Sequence, residues 1–191
     1  EYFEEVNEHL PRAARMALEV SHPDSVLGRA LAIATRRNAL RMAKRFIAGS
    51  EPAEVLQTVA KLRKQGFAFT LDLLGEAITS EEEADAYLAA YQRLITELTP
   101  LVAGWVDNAT LDRDATGSVP RVNLSLKLSA LYSQFNPVDP AGTAAGVGSR
   151  LRPLLRCARQ HGAYLHIDME HYAFKDLTLS IIRDVLMEDE F

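Results

Sequence analysis

The chain has 191 residues, 48% hydrophobic and 25% charged, with a formal net charge of −5 and one cysteine, Cys157. That composition is ordinary for a globular protein, leaves room for a sizeable core and excludes an internal disulfide. No apolar run approaches the roughly 20 residues of a membrane helix and no signal peptide opens the sequence, so the sequon Asn108-Ala109-Thr110 reads as chance and the lone thiol fits a reducing compartment.

Residues 10–65 hold 11 Lys/Arg against 4 Asp/Glu, a local balance of +7 that leaves −12 elsewhere. A basic segment of this kind suits nucleic acid or anionic lipid. Arg37, Arg41, Lys44 and Arg45, however, recur at helical spacing beside Leu40, Ala43 and Ile47. That pattern reads as a solvated helix face, or as a surface docked on the acidic half.

In chain order, the first helix is expected between the Ser-His-Pro break and Gly49. The second spans "SEPAEVLQTVAKLRKQG", with Ser50 as N-cap, Pro52 in the first turn and Gly66 as the stop. The period then changes from 3.6 to 2. "FAFTLDLLGE" places Phe67, Phe69, Leu71 and Leu73 on one strand face and Ala68, Thr70 and Asp72 on the other. Ser80 with Glu83 is a capping box that opens a helix striped by Ala84, Tyr87, Leu88, Tyr91, Leu94, Ile95 and Leu98. "DNATLDRDATGSVPR" reads as a polar loop. "RVNLSLKLSAL" is a second strand, with Leu124, Leu126 and Leu128 opposite Asn123, Ser125 and Lys127. Asp139 caps the next helix, in which Gly146, Gly148 and Pro153 predict a late start or a kink. "AYLHIDMEH" is the third strand, and a third helix of this region runs from about Lys175 to Met187.

Residues 1–65 are thus an N-terminal helical segment, and residues 66–191 alternate strand and helix three times, which argues for a parallel α/β sheet. Every strand has one apolar face and one small or polar face. That suits a (βα)8 TIM-like barrel better than an open sheet with two buried faces. A barrel needs eight units and about 250 residues, so three units predict a partial barrel.

Asp72, Lys127 and Asp168 lie late in successive strands on the inward face, where such barrels keep their chemistry. A lone buried lysine is costly, but between two carboxylates it keeps its charge. The pattern alone fits a site or a structural ion network. Glu76 follows the first strand after Gly75, whose turn would lift it over the barrel mouth or leave it near the next helix. His166, Asp168 and Glu170 share one strand face and have metal-ligand chemistry, so a metal-dependent barrel hydrolase is an alternative reading. A non-enzymatic helical module using the basic segment is another. His171 and Tyr172 begin the following loop. Cys157 has no catalytic partner in view, and "AAGVGSR" lacks both the spacing and the preceding strand of a phosphate loop.

"FTLDLLGEA", "LSLKLSAL" and "HIDMEHYAFKDLTL", in this order, resemble the proline dehydrogenase family, in particular the proline dehydrogenase part of bifunctional bacterial proline utilization A proteins. "RMAKRFIAGS" and "KLRKQGFAFT" are similar to the same group, so the resemblance covers nearly the whole chain. It implies a flavoenzyme on a distorted (βα)8 barrel that oxidises L-proline to Δ1-pyrroline-5-carboxylate. Non-covalent FAD takes the hydride, and a membrane quinone takes the electrons. It implies that Lys127 binds the substrate carboxylate near the flavin, that Asp168 lines the flavin and proline site, that Asp72 lines it from the first strand, and that Glu76 forms a gating ion pair. No metal and no nucleic acid are expected. The location implied is cytoplasmic, with peripheral association at the inner face of the membrane in the full protein. The family's paired arginines on the last barrel helix, and most FAD-binding strands, have no counterpart before Phe191. The sequence is therefore expected to be a fragment that alone neither holds FAD tightly nor turns over proline.

Overall fold

The change of period near Phe67 marks the start of alternating strands and helices in the computed structural model, which describes residues 26–43, 46–75, 77–169 and 171–191. The elements are α1 (Val26–Ala43), α2 (Pro52–Lys64), β1 (Leu71–Asp72), α3 (Glu81–Ala103), β2 (Arg113–Asp114), β3 (Gly117–Ser118), β4 (Asn123–Lys127), α4 (Pro140–His161), β5 (Tyr164–Asp168) and α5 (Lys175–Leu186). Single 3-10 turns cover Leu128–Leu131 and Tyr172–Phe174. The chain divides into two units, residues 1–47 and 48–191.

In the first unit, α1 leaves Ile33, Leu40 and Met42 exposed. The basic stripe is described only at Arg37 and Arg41, because Lys44 and Arg45 lie outside the described residues. In the second unit, α2 buries Val55 and Val59. This helix, grouped by its period with the N-terminal segment, therefore belongs to the core of the second unit, where it packs against α3. Glu51, rather than Ser50, occupies its N-cap position. The Ser50 N–H donates to the Glu54 carboxylate at 3.0 Å instead.

The sheet has the order β1-β4-β5, with both pairs parallel. Leu71 pairs with Leu124 and Asp72 with Ser125, while Lys127 pairs with Asp168. The apolar sides of Leu71, Leu124, Leu126, Leu165 and Ile167 meet Val59, Tyr91, Ile95, Leu98, Leu151, Leu154 and Ile181 in one core. Burying each such side chain contributes about 1.5–3 kcal/mol, and this contribution fixes the register, because a slip of one residue would exchange the faces. The opposite face carries Asp72, Ser125, Lys127, His166 and Asp168. It is buried at β4 and exposed at Tyr164 and His166 of β5.

Three expectations change. The first strand is only two residues long: Phe69 packs edge-on to Trp105 at 6.4 Å, and Phe67 is exposed rather than laddered. The loop after α3 contains an antiparallel pair, β2 with β3, closed by the Asp114 carboxylate, which accepts from the N–H groups of Thr116 and Gly117. Such an Asx turn needs only one short polar residue and leaves no periodic signal. Helix α4 begins at Pro140 and runs to His161 with no late start. Asp139 accepts from the Gly142 N–H at 2.9 Å, as its N-cap position predicts.

The glycines of α4 serve packing rather than a break. A Cβ on Gly146 would stand 2.5 Å from Cδ2 of the Tyr132 ring. Gly146→Ala is therefore expected to lower the thermal unfolding midpoint. Overpacking costs about 1–3 kcal/mol, and the better helix propensity of alanine offsets about 1 kcal/mol of it. The capping box on α3 forms with a shift of one residue. Ser80 Oγ accepts from the Glu83 N–H at 3.2 Å, and the Glu83 carboxylate accepts from the Thr79 N–H at 2.6 Å.

Candidate functional site

Asp72, Lys127 and Asp168 end three adjacent parallel strands, so the register brings their side chains to one rim. Lys127 Nζ lies 2.8 Å from Asp72 Oδ2 and 3.6 Å from Asp168 Oδ2. The lysine side chain is 9% exposed, whereas the two carboxylates are 39% and 42% exposed. The cation is thus sunk between two anions that still face solvent. The ammonium is paired on two sides, and its three N–H donors can serve more than one acceptor.

Helix α3 supports this rim from behind. The Tyr91 hydroxyl donates to the Ser125 carbonyl at 2.5 Å and the Tyr87 hydroxyl to the Leu73 carbonyl at 2.6 Å. Burial, then the neighbouring Tyr87 hydroxyl, push the Tyr91 phenol far above its ordinary pKa. At the start of α3, the Glu81 carboxylate accepts from the Ser133 hydroxyl at 2.6 Å and N–H at 3.0 Å, and from Arg150 at 2.6 Å. The Ser133 hydroxyl, helped by Arg150, holds the Glu81 carboxyl below its ordinary value. These contacts fix the loop that leaves β4.

The other candidates fall as follows. Gly75 adopts a φ of 108°, the turn expected there, but Glu76 itself lies outside the described residues, as does Glu170. Among the described residues no group of three His, Cys, Asp or Glu side chains converges to hold a metal. His166 is exposed on β5. His171 packs edge-on against Phe174 at 5.4 Å, and Phe174 meets Phe135 at 5.0 Å with the rings tilted by 53°, which braces the loop beside Asp168. Tyr172 is exposed, with Lys175 Nζ 5.4 Å from its ring centre. Cys157 is half-buried on α4, and burial pushes its thiol up, away from the reactive thiolate.

A second ionic cluster sits at the other end of the sheet, where the sequence shows only a polar loop. Asp112, 2% exposed, accepts from Arg63 at 2.7 and 2.6 Å, from Arg121 at 2.8 Å and from the Asn108 N–H at 2.9 Å. Arg121 also donates to the Val102, Ala103 and Trp105 carbonyls at and just beyond the end of α3. Its place before β4, on the amino side of the strands, marks it as structural.

Charged groups gathered at the carboxyl ends of parallel strands mark an α/β protein with a candidate site at that rim. Sequence comparison narrows the class. The proline dehydrogenase family model matches residues 55–191, and the proline utilization A N-terminal domain model matches residues 1–46. The chain belongs to the proline dehydrogenase family. It is 28% identical over 149 residues to the bifunctional protein PutA of Escherichia coli, covering 78% of this chain and 10% of that protein. It is 30% identical over 148 residues to proline dehydrogenase 1 of Bacillus subtilis subsp. natto, covering 78% of this chain and 41% of that protein. The chain therefore spans less than half the length of these relatives. Among solved structures, proline utilization A from Bdellovibrio bacteriovorus, inactivated by N-propargylglycine, superposes with a TM-score of 0.81 at 39% identity, covering 85% of this chain and 17% of that one. Proline utilization A from Corynebacterium freiburgense shares the fold, with a TM-score of 0.61 at 22% identity over 99% of this chain and 16% of that one.

Proposed function

We propose that this chain forms the first three βα units (residues 66–191) of a proline dehydrogenase barrel, led by the helical segment 1–65, and that it carries part of the site that oxidises L-proline to Δ1-pyrroline-5-carboxylate. One observation carries this reading: Lys127 Nζ sits between the Asp72 and Asp168 carboxylates at the strand ends. Proline is a small zwitterion. Its carboxylate needs a cation, which Lys127 provides, and its ammonium needs acceptors, which the two half-exposed aspartates provide. Charge-assisted hydrogen bonds of this kind are roughly twice as strong as neutral ones.

The rim also fits the edge of a flavin ring in part. Lys127 is a donor and Asp168 an acceptor at adjacent strand ends, suited to a ring edge that presents both carbonyl and N–H groups. Ser125, two residues before Lys127, is small. Gly146 and Gly148 lie inside α4, so this stretch offers no phosphate-cradling turn. Bound FAD would supply the hydride acceptor. The work of this chain is to hold the substrate carboxylate at Lys127, to orient the ring nitrogen toward Asp72 and Asp168, and to keep the lysine charged. Glu76 is the proposed gate of the same site.

A quinone acceptor, with peripheral attachment of a cytoplasmic protein to the membrane, completes the proposal. No helix among the described residues is long and apolar enough to cross a membrane. Family membership weighs against the metal-dependent hydrolase and the non-enzymatic basic module. The 191-residue chain alone is expected to purify colourless and inactive, because its described residues offer the cofactor a rim and no cradle. Recording its visible spectrum with and without proline checks this, and a yellow, proline-bleachable chain would contradict it.

A further inference from the structure

The ladder between β1 and β4 is only two pairs long, Leu71 with Leu124 and Asp72 with Ser125. A parallel pair this short is weak, yet it must hold Asp72 2.8 Å from Lys127. Two phenols of one helix bond the main chain at the point where the ladder stops. The Tyr87 hydroxyl reaches the Leu73 carbonyl, next to Asp72, and the Tyr91 hydroxyl reaches the Ser125 carbonyl, the ladder partner of Asp72. Their rings meet edge-on at 5.1 Å, so each restricts the other. Tyr91 is fully buried and Tyr87 nearly so. An apolar ring would fill the same core space, and the hydroxyls add directed bonds that packing does not require.

We infer that Tyr87 and Tyr91 are positioning residues, a two-phenol clamp that extends the β1–β4 ladder beyond its last pair and sets the Asp72–Lys127 geometry that receives the substrate carboxylate. This inference rests on the proline-oxidising reading. The clamp acts through Asp72, which it holds by the adjacent carbonyl, and so predicts a dependence that mere core packing lacks.

The test is a double-mutant cycle in the intact gene product loaded with its flavin. Tyr87→Phe/Tyr91→Phe is expected to raise KM for proline roughly tenfold with little change in kcat. The carboxylate contact serves ground and transition states alike, and a displacement of about 1 Å at a site can cost up to about 10²-fold. In an Asp72→Asn background the same pair of changes is expected to move KM by less than about twofold, since coupled residues are non-additive. Leu98→Ala, a core change on the same helix, is expected to lower thermal stability and leave KM alone. The single Tyr91→Phe variant, which loses one bond, serves if the double variant does not fold. Additive effects in the cycle, or an equal KM shift from Leu98→Ala, would overturn the clamp. A wild-type protein that binds flavin and leaves proline untouched would instead overturn the reading beneath it, and the clamp's role with it.

Discussion

Lys127→Met in the intact gene product is expected to lose about 10²–10³-fold in kcat/KM for proline while the folded state changes by no more than about 1 kcal/mol. The two halves of that result come from different places. Truncating one partner of a buried, hydrogen-bonded charge pair costs roughly 2–5 kcal/mol in binding, and each 1.36 kcal/mol is a factor of about ten in rate. In the protein itself the partners of Lys127 are 39% and 42% exposed. Asp72 and Asp168 therefore regain water when the ammonium goes, and pairs this wet contribute about 0–1 kcal/mol to stability. Methionine keeps the packing of the lysine stem. Steady-state kinetics together with a denaturant titration check both halves. A purely structural ion network would give the reverse: a large loss of stability and no separate loss of substrate binding.

Asp112→Ala is expected to have the opposite profile, destabilising the fold by about 3–5 kcal/mol, because it takes the shared buried counter-charge from two mostly buried guanidiniums, Arg63 and Arg121. For a domain of marginal stability this is a large share of the total, and differential scanning calorimetry reads it as a shift of roughly 6–20 °C. The pH dependence has a definite sign. The Arg63 guanidinium, aided by the Asn108 N–H and by Arg121, holds the Asp112 carboxyl well below its ordinary value. A carboxyl depressed in the folded state contributes its stability in full above the unfolded-state value of about 4, and loses it as the pH falls through the folded-state value. Acid titration of the wild type should therefore show stability declining from about pH 4 downward, with this part of the decline absent in Asp112→Ala.

These two clusters also show what a sequence reveals and what it conceals. Asp72, Lys127 and Asp168 were legible because each lies late in an alternating run, and parallel pairing places strand ends side by side; the structure brings all three together. Asp112 has no such signal. It lies in a stretch of Asp, Asn, Thr and Gly that reads as solvent-exposed, and only the return of Arg63 from 49 residues away buries it. The stripe on α3 was legible as packing, since Tyr87 and Tyr91 fall among Ala84, Ile95 and Leu98 at helical spacing. Their hydroxyl partners were not, because periodicity specifies a face and says nothing about which carbonyl lies beneath it. Gly146 and Gly148 misled for a related reason. Helix propensity counts the missing side chain as a defect, whereas the ring of Tyr132 occupies the space left at Gly146 and the Arg152 guanidinium the space left at Gly148. Glu76, the proposed gate, belongs to the described structure only through its neighbour Gly75.

In the proposed site three distant residues converge to receive the carboxylate and ammonium of one small zwitterion. A crystal structure of the intact gene product with bound flavin and a non-reacting cyclic analogue of proline tests it most directly. The analogue's carboxylate is expected within about 3 Å of Lys127 Nζ, with Asp72 and Asp168 flanking it. A carboxylate bound away from this rim, with Lys127 still closed on its two aspartates, would contradict it.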